Sequence, residues 1–297
     1  MDNLTIRKLT RSDELSLARF LQPQLESSMF LYGNMQQAGL VYEGQRLQGF
    51  YVAAFDGDQM VGVVAHYWNG NICIQAPDHL ENLLSEVIRI SKLPLVGFIG
   101  PDDQVIRAKR ILGISSSEMR HDEAEGLYSL DLQDLIVPKI LNQPYISWRR
   151  AGSDDLELLT RWLVAMNVET LGKVVTPALH QNRRASVKRI IENGNTWILE
   201  VDGIPASTSG FNADIESSPG YRIVQIGGVF TPPELRRRGF ARAVVAASLL
   251  DAKAESAAKA ILFTGESNFP AQKAYAAIGF QRTGTYRLAF LKKPISK

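Results

Sequence analysis

The sequence predicts an α/β (α+β) chain of two similar domains, each a mixed central sheet flanked by helices. Three observations carry that expectation. The length, 297 residues, is at the limit of what one hydrophobic core fills before a chain divides. Helical patterns of apolar residues are interleaved with short apolar strands. Five local signals of the first half also return, in the same order, in the second.

Those signals run as follows. Ser12-Asp13-Glu14-Leu15 opens a helical pattern, and Ser153-Asp154-Asp155-Leu156 opens another 141 residues later. Both read as Ser or Asp N-cap signals ahead of apolar positions at helical spacing. Strand-turn-strand patterns follow, turning at Asp56-Gly57 and at Asp202-Gly203, and an Asp-Gly pair between apolar runs is a strong hairpin signal. LVGFIG and AILFTG read as short buried strands, each followed by a helix that stops at Gly113 or Gly279. Each half closes on a Gly-x-Tyr-x-Leu strand, at Gly126-Tyr128-Leu130 and Gly284-Tyr286-Leu288. The two prolines of IVPKILNQPY, Pro138 and Pro144, break helices and place the boundary. The expected domains are therefore 1–140 and 146–297.

Composition excludes several classes. Hydrophobic residues are 45% and charged residues 22%, which rules out a disordered chain, a collagen-like fibre and a coiled coil. Lys and Arg total 33 against 31 acids, a net charge of +2, so no nucleic-acid or membrane-binding basic face is expected. Cys73 is alone and can form neither an internal disulfide nor a thiolate pair for zinc. His66, His79, His121 and His180 show no ligand spacing, so no metal is expected. HYWNGN (66–71) reads as a packed aromatic cluster. No apolar run approaches a membrane span, and MDNLTIRKLTRSDE is charged where a signal peptide needs an apolar core. A soluble, cytoplasmic protein is the expectation.

The halves differ in one place. From turn glycine to late-strand glycine the second half is 19 residues longer, and the extra length contains YRIVQIGGVFTPPELRRRGFA. Tyr221 to Thr231 reads as a strand interrupted by Gly227-Gly228, where glycine signals a bulge or a close approach. Arg236-Arg237-Arg238-Gly239 then precedes a helix read over ARAVVAASLLDAKAESAAKA (241–260). Three arginines oppose the positive end of a helix unless an anion binds there. Free N–H groups, a permissive glycine and surrounding cations together make a phosphate cradle.

These residues resemble the GNAT N-acetyltransferase superfamily. Val229-Phe230-Thr231 through Arg236-Arg237-Arg238-Gly239-Phe240-Ala241 is similar to its pyrophosphate-binding motif, Arg/Gln-x-x-Gly-x-Gly/Ala. Asn268 through Ala271, Tyr275, Gly279 and Phe280 is similar to its second motif, Asn-x-x-Ala-x-x-x-Tyr-x-x-x-Gly-Phe. The likeness spans 146–293. It implies that the amides of Arg237 to Ala241, with Arg236 beside them, hold the pyrophosphate of acetyl-CoA. It implies further that Val229 to Thr231 lie along the pantetheine arm, and that a strand amide at the bulge serves as oxyanion donor. Tyr275 takes the place of the general acid for the departing thiolate; the lesser alternative is that, on its apolar helix face with Ala271, Ala274 and Ile278, it only packs. Asn268 could touch the cofactor or cap its helix.

The acceptor is implied to be a primary amine, small or on a peptide, attacking directly in a ternary complex. The base is open among Glu200, Asp214, Glu216, Gln225 and His180, and MNVETLGKVVTPALHQN (166–182) stands where the family shapes its acceptor site. A non-catalytic acyl-CoA-binding sensor would use the same motifs. The first half lacks the arginine-glycine motif: NICIQAPDHLENLLSEVIRI runs from strand into helix with Asp78 and Glu81 where an anion would sit. Aligning Gly113 with Gly279 sets Lys109 opposite Tyr275 and Asp102 opposite Asn268. The first half then reads as a degenerate copy in a tandem arrangement.

Overall fold

The computed structural model describes residues 4–171, 174–218 and 220–296. In order, the first half contains β1 (Leu4–Lys8), α1 (Glu14–Leu21), α2 (Leu25–Ala38), β2 (Gly49–Asp56), β3 (Gln59–Tyr67), β4 (Asn71–Gln75), α3 (Leu80–Ser91), β5 (Leu95–Pro101), α4 (Asp102–Ile111) and β6 (Met119–Asp131). The second contains β7 (Ile146–Arg150), α5 (Leu156–Leu171), α6 (Pro177–Glu192), β8 (Thr196–Val201), β9 (Ile204–Ser218), β10 (Tyr221–Phe230), α7 (Phe240–Ala254), β11 (Ala257–Gly265), α8 (Phe269–Ala276) and β12 (Gln281–Ile295). The two lists are the same list. Strand pairing repeats too: β1 to β4 and β7 to β10 are successive antiparallel pairs, while β4–β5 and β10–β11 are parallel. The mixed α/β fold class is as expected.

The chain packs as two compact units that do not follow its sequence order. One is built from Met1–Tyr128 with Phe263–Ser267 and Arg282–Lys297, the other from Ser129–Leu262 with Asn268–Gln281. In the first unit the C-terminal strand β12 lies antiparallel to β5, from Tyr286↔Pro101 to Phe290↔Gly97. Ala289 and Leu291 of β12 join the core formed by Leu83, Leu84 and Val87 of α3, Ile72 and Ile74 of β4, and Phe98 of β5. The aromatic segment after His66 is packed as expected: Tyr67 is buried, and its hydroxyl lies 2.8 Å from that of Tyr51.

The two helix starts refine the sequence reading. Asp13 and Asp155 are buried; Asp13 stands at the N-cap position of α1 but makes no capping bond there, and each acid instead ends a short 3-10 turn capped by Thr10 or Gly152. Asp13 accepts from the Thr10 N–H (2.8 Å) and from both terminal nitrogens of Arg7. Asp155 likewise accepts from the Gly152 N–H (2.8 Å) and from Arg149. Hydrogen bonding from arginine and backbone outweighs desolvation, so both carboxyls titrate below the ordinary carboxylate range. A depressed folded-state value means the stabilisation is complete above the unfolded value, near 4, and is lost as pH falls through the folded one. Asp155→Ala should therefore cost about 2 kcal/mol at pH 7, a figure restrained by the half-exposed Arg149. Urea unfolding checks this: the deficit against wild type should shrink below about pH 4.

In the second unit the core of Leu159, Trp162, Val187, Ile198 and Phe230 packs α5 and α6 onto one sheet face. Helix α7 covers the other. Its Asp251 accepts from Trp148 and Trp197 Nε1 (3.2 and 2.7 Å), so one carboxylate fixes the helix to β7 and β8. Helix α7 ends at Ala254, not at Ala260 as its alanine-rich sequence suggests. Ala257 and Ala260 instead pair in parallel with Arg222 and Val224 of β10. A buried ladder overrides helix propensity worth only tenths of a kcal/mol per residue. No helix among the described residues is long and apolar enough to cross a membrane.

Candidate functional site

The second unit contains a cavity of about 890 Å³, near the upper end of the usual range for small-molecule sites. Every residue expected at the cofactor lines it: Val229, Phe230 and Thr231 from the end of β10, Arg236 through Ala241 from the turn into α7, and Asn268 and Tyr275 from α8.

Strand β10 pairs with β11 only as far as Ile226–Leu262. Beyond that point Gly228 adopts φ +62° and, with Val229, has no register partner on β9. This is the expected bulge, and it leaves the Val229 backbone open. The next two residues are held. Ser207 donates to the Phe230 carbonyl (3.0 Å), and its hydroxyl pairs with that of Thr231 (2.8 Å). The strand end is thus rigid where the cavity begins.

Two left-handed residues, Arg237 (φ +62°) and Gly239 (φ +86°), shape the turn. Alternation of this kind gathers successive N–H groups into a concavity that suits anions. Gly239 is the N-cap of α7, with no side chain capping it, so the first-turn amides have no acceptor inside the helix. The arginine triplet divides. Arg236 donates through Nε to the Thr231 carbonyl (2.9 Å) and through Nη2 to Glu169 of α5 (2.7 Å), so it braces the cradle. Arg237 and Arg238 pair with no carboxylate among the described residues; Arg238 meets only the Glu234 carbonyl, at 3.4 Å.

Tyr275 is buried to 9% exposure, edge-on to Phe280 at 6.0 Å. Its hydroxyl has no protein partner among the described residues, and burial pushes its pKa up to about 12. A protonated phenol faces the cavity. Asn268 both lines the cavity and caps α8, accepting from the Ala271 N–H at 3.3 Å.

None of the candidate bases lines this cavity. Glu200 is bound by Arg149 (2.8 Å) and Asp214 by two nitrogens of Arg222 (2.6 Å each). Glu216 accepts from the Gly220 N–H (3.1 Å), and His180 sits on α6, half-buried. Gln225 is 2% exposed with Oε1 unpartnered. Sequence reasoning missed Glu169, Arg242 and Lys273, all of which line the cavity. Glu169 lay inside the segment 166–182, whose Gly172 and Lys173 fall outside the described residues. Arg242, in the first turn of α7, carries the basic run of the turn on into the helix.

The corresponding place in the first unit is filled. Four residues, Ala76 to His79, join β4 to α3, where nine, Thr231 to Gly239, join β10 to α7. The left-handed N-cap persists, but as His79 (φ +56°) instead of glycine. Gln104 of α4 accepts from the Ala76 N–H (2.7 Å), and Arg107 donates to the Pro77 carbonyl (2.6 Å). Lys109 and Tyr275 share one backbone bond at their helix ends: Ile114 N–H to the Lys109 carbonyl (2.9 Å) matches Phe280 N–H to the Tyr275 carbonyl (3.2 Å). At the helix starts the alignment slips by one, since Pro101, not Asp102, holds the cap position that Asn268 holds in α8. Lys109 is ion-paired with Asp122, which also accepts from Arg287 (2.8 Å), and Arg287 reaches Asp102 at 2.5 Å. A half-buried charge network stands where the second unit keeps an open slot.

Comparison with known proteins agrees with this geometry. The family model described as Acetyltransferase (GNAT) family matches residues 159–280. A comparison with curated proteins finds no match. Among solved structures, a protein from Drosophila malonogaster is similar at TM-score 0.65 and 14% identity, covering 98% of this chain and 99% of its own. A GNAT-family acetyltransferase from Colwellia psychrerythraea is similar at 0.55 and 14%, covering 97% and 100%. A tandem GNAT protein from the clavulanic acid biosynthesis pathway is similar at 0.54 and 11%, covering 96% and 97%. At such identities these likenesses speak for the fold. Residues 159–280 form a domain of the GNAT acetyltransferase family, within a chain whose whole length follows a GNAT-type fold.

Proposed function

We propose that the protein is an N-acetyltransferase that moves an acetyl group from acetyl-CoA to a primary amine by direct attack in a ternary complex. Residues 146–297 form its catalytic half, and residues 1–140 are a degenerate copy that binds no cofactor. The observation that supports this most is the cavity itself: a bulged strand end, a left-handed glycine at a helix start and arginines without carboxylate partners converge on one slot. Bound acetyl-CoA would supply an activated acyl group as its thioester.

The residues divide the work. The amides of Arg237 to Ala241, with Arg237 and Arg238, hold a diphosphate, as free helix-start N–H groups do for anions. Val229 offers an unpaired backbone edge to an amide-bearing arm. An N–H at the bulge is placed to donate to an oxygen that gains charge, an effect worth roughly 3–4 kcal/mol in comparable sites. Tyr275 holds a proton for a departing sulfur. Glu200 and Asp214 are engaged by arginines, so neither is assigned as the base.

The test is release of free thiol from acetyl-CoA over a panel of amino acids, polyamines, amine antibiotics and peptides. Thiol release that depends on one amine class and yields its N-acetyl product is the expected result. Tight acyl-CoA binding with no turnover on any amine would instead make the protein a sensor.

A further inference from the structure

We propose that two side-chain amides, Gln225 and Asn212, hold the acceptor amine beside the bulge of β10. The inference rests on acyl transfer to an amine at this cavity, and it begins from strand register. Ile198 and Phe230 pair with Thr208 from either side and belong to the core under α5 and α6. On that same face Thr196, Gly210 and Gly227 stand in a row across β8, β9 and β10. Strand alternation adds Gln225, two residues before Gly227, to the face.

Two glycines side by side leave this part of the sheet shallow, and Asn212 occupies some of the room. It is the extra residue of a bulge in β9, where Ala213 pairs with Gln225 and Phe211 with Ile226. Its amide lies across Gly227, in the place that a Cβ on Gly227 would take. Gln225 is the second amide. It is 2% exposed, and its Oε1 is buried with no hydrogen-bond partner among the described residues. Its register partners on either side, Ala213 and Ile261, are apolar, as is Ile223 two residues earlier. A buried carbonyl left unpaired costs stability, and an apolar side chain of the same shape would avoid that cost. Gln225 therefore does not serve packing.

Its position gives the oxygen a use. Val229, two residues beyond Gly227, lines the cavity and offers the open backbone edge for a thioester-bearing arm. With the cofactor on that side of the bulge, an amine bound for the same carbon comes in over Gly227. There it meets two uncharged amides. An amide oxygen takes one N–H of a neutral amine and leaves the nitrogen lone pair free to attack. Gln225 and Asn212 thus orient the acceptor without removing its proton.

Two variants test this in the full-length protein. Gln225→Met keeps the length of the side chain and deletes the oxygen. Gly227→Ala sets a methyl where the Asn212 amide lies and turns that exposed side chain away. With the panel amine that supports thiol release, each should raise the acceptor KM by about 10-fold, the worth of one hydrogen bond. Calorimetric affinity for acetyl-CoA should stay within about threefold of wild type, as for sites that share no partner. Slow thiol release from acetyl-CoA without any amine should be unchanged. The melting temperature of Gln225→Met should hold or rise, whereas losing a packing residue would lower it. An unchanged acceptor KM in Gln225→Met would overturn the inference and leave the transfer reading intact. A lower melting temperature together with weaker acetyl-CoA binding would overturn it too, making Gln225 structural. Failure of wild type to acetylate any panel amine would remove the transfer reading and this inference with it.

Discussion

Tyr275→Phe should lower turnover by roughly 10²- to 10⁴-fold, the usual worth of a positioned general acid. The substitution keeps the ring, its edge contact with Phe280 and its burial, and deletes only a hydroxyl that no group among the described residues binds. Acetyl-CoA affinity and melting temperature should change little. With a pKa near 12 the phenol stays protonated across the working range, so this group should not impose an alkaline limit on the pH–rate profile below about pH 10. A wild-type rate in the variant, with chemistry limiting, would make Tyr275 a packing residue.

Gly239→Glu should raise the coenzyme A dissociation constant by about 10²-fold or more. A side chain at φ +86° costs about 1–2 kcal/mol in backbone strain, and its Cβ would crowd the Arg242 guanidinium. Its carboxylate would stand beside the anion, and like charges about 4 Å apart repel by about 4 kcal/mol near a protein surface. Wild type should gain about 2.7 kcal/mol of stability from acetyl-CoA at a hundredfold excess over its dissociation constant. The variant should show no such gain in a thermal melt. Any stoichiometric, wild-type-affinity binding left in it would locate a second cradle in the first unit. The Gln104, Arg107 and Lys109 contacts there argue against one.

Much of this was legible in the residues. Turns at Asp56-Gly57 and Asp202-Gly203, helix ends at Gly113 and Gly279, and the arginine-glycine turn are local events set by φ preferences and free backbone groups, so sequence alone locates them. The offset between repeats was less legible. The matching ion pairs Arg7–Asp13 and Arg149–Asp155 lie 142 residues apart, one more than the Ser-Asp echo indicated. The pairing of each acid with a strand arginine has no local signature.

Sequence by itself determined the two-fold plan, the fold class and the arginine-glycine turn ahead of α7, because hydrophobic period, turn chemistry and helix-start charge act over a few residues. Only the tertiary structure decided which groups are already engaged. Arg236 is tied to Glu169, 67 positions away, Glu200 and Asp214 are held by arginines, and Lys109 is locked in a network completed by Arg287, 178 positions on. Strand β12 pairs with β5, which is not a neighbour in sequence. Such pairings arise between elements far apart in the chain, where loop closure and buried charge set the outcome and no local preference records it.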